Sequence, residues 1–133
     1  MKNDINILVV DDEEIMRNLL DKMLSLEGYN ILTAVDGQDA LDVVANEKVD
    51  LVVSDMKMPR MDGFELLKNL RNNYPDIGVV IMTGFGDTYT LKDALLLGAD
   101  EYLSKPFKRL ELLNVVEKTY WRYLSNKSSH QPA

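Results

Sequence analysis

The chain has 133 residues, 15 of them basic and 22 acidic, for a net charge of −7, and it contains no cysteine. That length fits one domain able to bury a core without disulfides or a structural metal. The lack of thiols excludes disulfides, cysteine nucleophiles and thiolate metal centres, and the acidic balance disfavours nonspecific contact with nucleic acid or anionic membrane.

Residues 5–10 are apolar and rich in β-branched side chains, as suits a central strand. The run stops at Asp11-Asp12-Glu13-Glu14. Ile15, Met16, Leu19, Leu20, Met23 and Leu24 then recur at helical spacing, and Gly28 stands where a helix ends. Residues 30–35 alternate as a second strand, Asp36-Gly37 turns, and Ala40, Leu41, Val43 and Val44 mark a second helix. Residues 50–54 form a third strand that runs into Asp55, and a third helix spans residues 63–73 until Tyr74-Pro75-Asp76 breaks it. A fourth strand over residues 77–82 ends at Thr83. Gly84-Phe85-Gly86-Asp87 reads as a loop; no phosphate-cradling spacing accompanies it. A fourth helix runs to Leu97, before Gly98, and a fifth strand over residues 100–104 ends at Lys105-Pro106. The last helix is expected from Phe107 to about Leu124, with Phe107, Leu110, Leu113, Val116 and Tyr120 as its inward stripe. Trp121 would either cover the edge of the core or belong to a self-association or linker surface. Residues 125–133, with the lone His130, are polar and read as a disordered tail or the start of a linker. No apolar run approaches the ~20 residues of a membrane span, and the N-terminus lacks a secretory core, so a cytoplasmic protein is expected.

Strands alternating with helices argue for a parallel sheet covered on both faces. Ligands of such sheets bind beyond the carboxyl ends of the strands. Those ends carry Asp11 and Asp12, then Asp55, Thr83 and Lys105. If the strands are neighbours, the groups converge. Clustered carboxylates repel and lift at least one pKa, and a divalent cation relieves that repulsion. An all-oxygen donor set suits Mg²⁺. A metal there could neutralise charge on a transferred phosphoryl group, while a hydroxyl and an ammonium hold its oxygens. A carboxylate in that setting can act as nucleophile and form an aspartyl phosphate. Each residue alone has a plainer explanation. Asp11 with Glu14 resembles a capping box, Asp55 a turn residue, Thr83 a strand-end hydroxyl, Lys105 a surface lysine and Tyr102 strand packing. Their joint pattern argues for a site.

The stretches Val9-Val10-Asp11-Asp12-Glu13, Asp55-Met56-Lys57-Met58-Pro59-Arg60-Met61-Asp62-Gly63, Thr83-Gly84 and Lys105-Pro106-Phe107 occur in this order, each after an apolar strand. Over about residues 4–124 the chain resembles the receiver domain of two-component response regulators, a chemotaxis-regulator-like phosphoacceptor domain. The resemblance implies one receiver domain over residues 1–124 and a tail over residues 125–133. It implies a flavodoxin-like, doubly wound (βα)5 fold with α/β/α layers and strand order 2-1-3-4-5. It implies that Asp55 accepts a phosphoryl group from a histidine kinase or phosphotransfer protein. Mg²⁺ would be held by Asp12 and Asp55, by Asp11 largely through water, and by the backbone carbonyl of Lys57. Thr83 and Lys105 would bind the phosphoryl oxygens, and Tyr102 would turn inward as Thr83 moves. The Lys105-Pro106 bond is expected to be cis. Lys57 and Phe85 would border the path of water attacking the acyl phosphate. Such a domain is not an enzyme in the ordinary sense; it assists its own phosphorylation and dephosphorylation. Its readout would use the fourth helix, fifth strand and fifth helix. Expected partners are the phosphodonor, an output domain or protein target, and a second copy in a phosphorylation-dependent homodimer. Neither nucleic acid nor membrane would be bound by this domain directly.

Two other functions remain open. A phosphatase-type hydrolase using an aspartyl phosphate usually needs an acid two residues past the nucleophile, and here that position is Lys57. A receiver-like binding module that never carries phosphate would be favoured by a missing acid, threonine or lysine, and none is missing.

Overall fold

Each strand starts within one residue of the position its apolar pattern indicates. A computed structural model describes residues 2–84 and 91–129. The strands are β1 (Asn6–Val10), β2 (Asn30–Ala34), β3 (Leu51–Asp55), β4 (Gly78–Thr83) and β5 (Glu101–Ser104). The helices are α1 (Glu14–Leu26), α2 (Gly37–Asn46), α3 (Gly63–Asn73), α4 (Leu91–Leu96) and α5 (Arg109–Ser129). All pairings are parallel, and the sheet order is β2-β1-β3-β4-β5. The expected doubly wound order is therefore observed.

Side chains of successive strand residues point to opposite faces. Leu8, Val10, Val52, Val79 and Ile81 face one layer, where Ala40 and Val44 of α2 and Phe64, Leu66, Leu67 and Leu70 of α3 cover them. Ile7, Val9, Leu51, Val53, Val80 and Met82 face the other, covered by Leu20 and Leu24 of α1 and Leu112, Val116 and Tyr120 of α5. Both faces of β3 are thus buried, which explains its unbroken apolar run. Gly28, at φ 100°, follows α1 in the left-handed region that glycine enters freely, so the chain turns there into β2.

Several details differ from the sequence pattern. Ile15 is 84% exposed and Leu19 is also exposed, because the sheet covers one side of α1 and the apolar arc is wider than that side. Leu110 is exposed; the inward positions of α5 are Leu112, Val116, Thr119 and Tyr120. Leu110 precedes Leu112 by two residues, which at 3.6 residues per turn places it on the opposite side. Trp121 is 59% exposed, so it does not seal the core edge; its ring leans on Tyr120 at 5.6 Å. Helix α5 continues through Ser129, five residues past its expected end. Phe85, Gly86, Asp87 and His130 lie outside the described residues. Among the described residues no helix is long and apolar enough to cross a membrane.

Candidate functional site

Strand register brings the chemistry together. Val10 pairs with Ser54, Asp55 with Met82, and Thr83 with Ser104. The strands therefore end almost level, and the ladder runs slightly further. Asp11 N donates to Ala34 O at 3.2 Å, Met56 N to Met82 O at 2.9 Å, and Lys105 N to Thr83 O at 2.7 Å. Asp11 and Asp12, Asp55, Thr83 and Lys105 consequently stand along one edge of the sheet.

Carboxylate oxygens of Asp11, Asp12 and Asp55 lie within 4.8 Å of one another. Asp11 and Asp55 are buried, whereas Asp12 is exposed. Lys105 Nζ lies 3.1 Å from Asp55 Oδ1 and 3.6 Å from Asp11 Oδ2. Thr83 is half-buried at the end of β4, and Tyr102 is half-buried on β5, paired with Ile81 two residues before Thr83. The Lys105-Pro106 bond is cis. A crevice of about 590 Å³ opens over this edge, lined by Asp12, Glu13, Asp55, Lys57, Gly84 and Lys105. A second cavity, of about 430 Å³, lies where Asp50 meets Tyr123. Both oxygens of that buried carboxylate are engaged: Oδ2 accepts from Asn6 N at 2.8 Å and Oδ1 from the Tyr123 hydroxyl at 2.5 Å.

Burial pushes the Asp55 carboxyl above its ordinary value; Lys105 pulls it down, the charge of Asp11 raises it further, and the Lys57 amide donates to it. Repulsion from Asp11 does raise it, as clustering implies, but loss of water contributes more. Burial also opposes the Lys105 ammonium, yet Asp55 and Asp11 outweigh it and hold that group above its ordinary value. Asp11 Oδ1 accepts a hydrogen bond from Glu13 N at 2.9 Å. Its Oδ2 is buried without any hydrogen-bond partner. A buried carboxylate oxygen that lacks a donor is costly unless a cation compensates it. With two further carboxylates in reach and only oxygen donors, the group fits a hard divalent cation.

The capping-box expectation for Asp11 and Glu14 is replaced. Glu13 is the N-cap of α1 and makes no side-chain cap bond, while Asp11 turns its carboxylate to Glu13 N and into the site.

Two groups to which the sequence pattern gave no role in the site shape this edge. Arg17 donates through Nη1 to Asp11 O at 2.8 Å, anchoring the turn after β1. Gly63 starts α3 directly against the strand end that carries Asp55. A Cβ there would lie 2.6 Å from Asp55 O and 2.9 Å from Met56 Cα, and Gly63 N donates to Met56 O at 2.8 Å. The contacts are with backbone, so a methyl must displace the acceptor segment itself. Gly63→Ala is expected to cost about 1–3 kcal/mol of stability. A denaturant melt, with Asp62→Ala as a control that removes only the bond from Glu65 N to the α3 N-cap, checks this.

Comparisons with known proteins bear on this geometry. The sequence model of the response regulator receiver domain matches residues 7–117. The chain is 38% identical over 129 residues to response regulator MprA of Mycobacterium sp. (strain KMS), covering 97% of this chain and 56% of that protein. It is 41% identical over 123 residues to sporulation initiation phosphotransferase F of Bacillus subtilis (strain 168), covering 92% of this chain and 96% of that protein. The chain thus spans about half the length of several curated relatives it matches, the MprA proteins among them. A crystal structure of a response regulator receiver domain protein from Clostridium thermocellum superposes with a TM-score of 0.81 at 32% identity, covering 90% of this chain and 98% of that one.

Proposed function

Because this chain belongs to the response regulator receiver domain family of two-component signalling, we propose that Asp55 accepts a phosphoryl group in a Mg²⁺-dependent reaction and that the aspartyl phosphate switches an output. The observation that carries this is the buried pair Asp11 and Asp55, with an Asp11 oxygen that has no hydrogen-bond donor, closed on one side by Lys105 at 3.1 Å from Asp55 and 3.6 Å from Asp11. An Asp55 oxygen attacks phosphorus, the bond from phosphorus to the donor's leaving group breaks, and the leaving group takes up a proton from solvent. Asp12, Asp55, the Lys57 carbonyl and, largely through water, Asp11 would hold Mg²⁺, which when bound would supply charge neutralisation at the transferring group. Lys105 then exchanges its bond to the carboxylate for one to a phosphoryl oxygen, and Thr83 brings a hydroxyl from the next strand end. Movement of Thr83 vacates space beside β4 for Tyr102, biasing the surface of α4, β5 and α5 between two arrangements.

The phosphodonor is a histidine kinase or a phosphotransfer protein, and the reaction takes place in the cytoplasm. The switched surface engages an output domain, a protein target or a second copy. A hydrolase of the aspartyl phosphate class is disfavoured because Lys57 stands where its second acid would be needed. The test is intact mass after incubation with acetyl phosphate and Mg²⁺. One phosphoryl adduct is expected, lost in EDTA. If neither acetyl phosphate nor a cognate kinase domain gives an adduct while Mg²⁺ binds, the domain is a phosphate-independent binding module.

A further inference from the structure

The loop from β3 to α3 carries Lys57 and turns sharply at Arg60. Arg60 has φ 68°, the only positive φ outside glycine among the described residues. Met61 N donates to Pro59 O at 2.8 Å, across Arg60. A bond spanning one residue of positive φ closes a γ-turn of the rare, strained kind. Glycine would adopt this backbone without penalty, whereas arginine must be held there.

What holds it is the α2 N-terminus. Arg60 Nη2 lies 2.6 Å from Asp36 Oδ2. Asp36 is the N-cap of α2, and its Oδ1 accepts from Asp39 N at 2.8 Å. The next loop residue is fastened at the same place, since a Cβ on Gly37 would sit 2.8 Å from Cγ and Sδ of Met61. The other end of the loop is pinned by the bond from Gly63 N to Met56 O. The segment that includes Lys57 is therefore held from both sides, and the Lys57 amide already donates to Asp55. Exposed ion pairs ordinarily contribute little. Here the arginine side chain is 78% exposed, but the carboxylate partner is buried, the contact is short, and the turn it closes is unfavourable for arginine.

We infer that Arg60, acting through Asp36, is a positioning residue that presets the Lys57 segment for Mg²⁺ and so raises the affinity of the acidic crevice for that ion. The inference rests on the reading of Asp55 as phosphoacceptor. It concerns metal affinity rather than chemistry, so the two effects separate.

The experiment is a Mg²⁺ titration followed by amide NMR, paired with phosphorylation by acetyl phosphate. Wild-type protein is compared with Arg60→Ala, Arg60→Gly, Arg60→Lys and Asp36→Asn. Asparagine keeps the cap but loses the charge. Arg60→Gly relaxes the turn and guards against misfolding. Arg60→Ala and Asp36→Asn are expected to weaken Mg²⁺ binding about 3–10-fold, at the low end for a group outside the metal's ligands, and Arg60→Gly less, because glycine keeps the turn without the tether. Phosphorylation at saturating Mg²⁺ stays within about twofold, and the Lys57 amide exchanges faster even without metal. Arg60→Lys recovers part of the affinity. Combining Arg60→Ala with Asp36→Asn adds nothing beyond either alone, because both remove the same contact. Unchanged Mg²⁺ affinity in Arg60→Ala, or additive losses in the double variant, would overturn the inference while leaving Asp55 in place. Wild-type protein that takes up neither Mg²⁺ nor phosphoryl overturns both.

Discussion

Asp55→Asn is expected to reduce phosphoryl incorporation to background and, in metal-free protein, to raise the melting temperature. The first effect follows because an amide oxygen is no nucleophile at phosphorus. The second follows from the sign of the Asp55 shift. Burial raises its folded pKa above the unfolded value. A group shifted this way contributes stability below its unfolded pKa and loses that contribution as pH rises through the folded pKa. Above that range the wild-type protein carries a buried charge it would rather not hold. Asparagine removes the charge at nearly constant shape, can accept from Lys105 and can donate to the orphaned Asp11 Oδ2. The gap between variant and wild type should therefore widen as pH rises above the ordinary carboxylate range in EDTA, and shrink when Mg²⁺ is added to the wild type. Melts at a mildly acidic and a mildly alkaline pH, with and without the metal, check this. A variant less stable than wild type at the higher pH in EDTA would mean that Asp55 is a structural carboxylate and not a strained functional one.

Lys105→Met is expected to move two measurements in opposite directions. Lys105 stands 3.1 Å from Asp55 and 3.6 Å from Asp11, with most of its side chain covered. Methionine preserves much of the apolar stem and removes the charge. Loss of a preorganised cation at the transferring group should slow phosphorylation about 10²–10³-fold. The same loss removes a cation that competes with Mg²⁺ for the same carboxylates. Binding of the metal should therefore tighten severalfold wherever Asp55 is ionised. At lower pH the gain fades, because Asp55 without Lys105 titrates still higher. Calorimetric Mg²⁺ titration and phosphorylation kinetics test the pair. A surface lysine with no part in the site would change neither quantity.

Legibility in the sequence divided along physical lines. Alternation of short apolar runs with helical spacing is a local property, so the five strands and five helices were readable. The chemistry at the strand ends was readable for a related reason. Strands stop where apolar residues give way to Asp11, Asp55, Thr83 and Lys105, and parallel crossovers bring all such ends to one edge. What stayed hidden depends on partners distant in the chain. Ile15 and Leu110 look like core residues by spacing, yet only packing shows which arc of α1 or α5 the sheet covers. Asp11 resembles a helix cap in sequence, but Glu13 is the N-cap of α1, which leaves Asp11 Oδ2 without a donor inside the site. The main cause of the Asp55 shift is burial, which depends on neighbours rather than on its own stretch. Arg60 lies inside the Asp55–Gly63 stretch, but its role carries no signal in one dimension. Its left-handed backbone and its bond to Asp36, 24 residues earlier, exist only once α2 and the β3–α3 loop are side by side. Local free-energy preferences set the elements and the edge where the chemistry gathers; register, burial and long-range contact decided which groups touch, which are strained and which lack a hydrogen-bond donor.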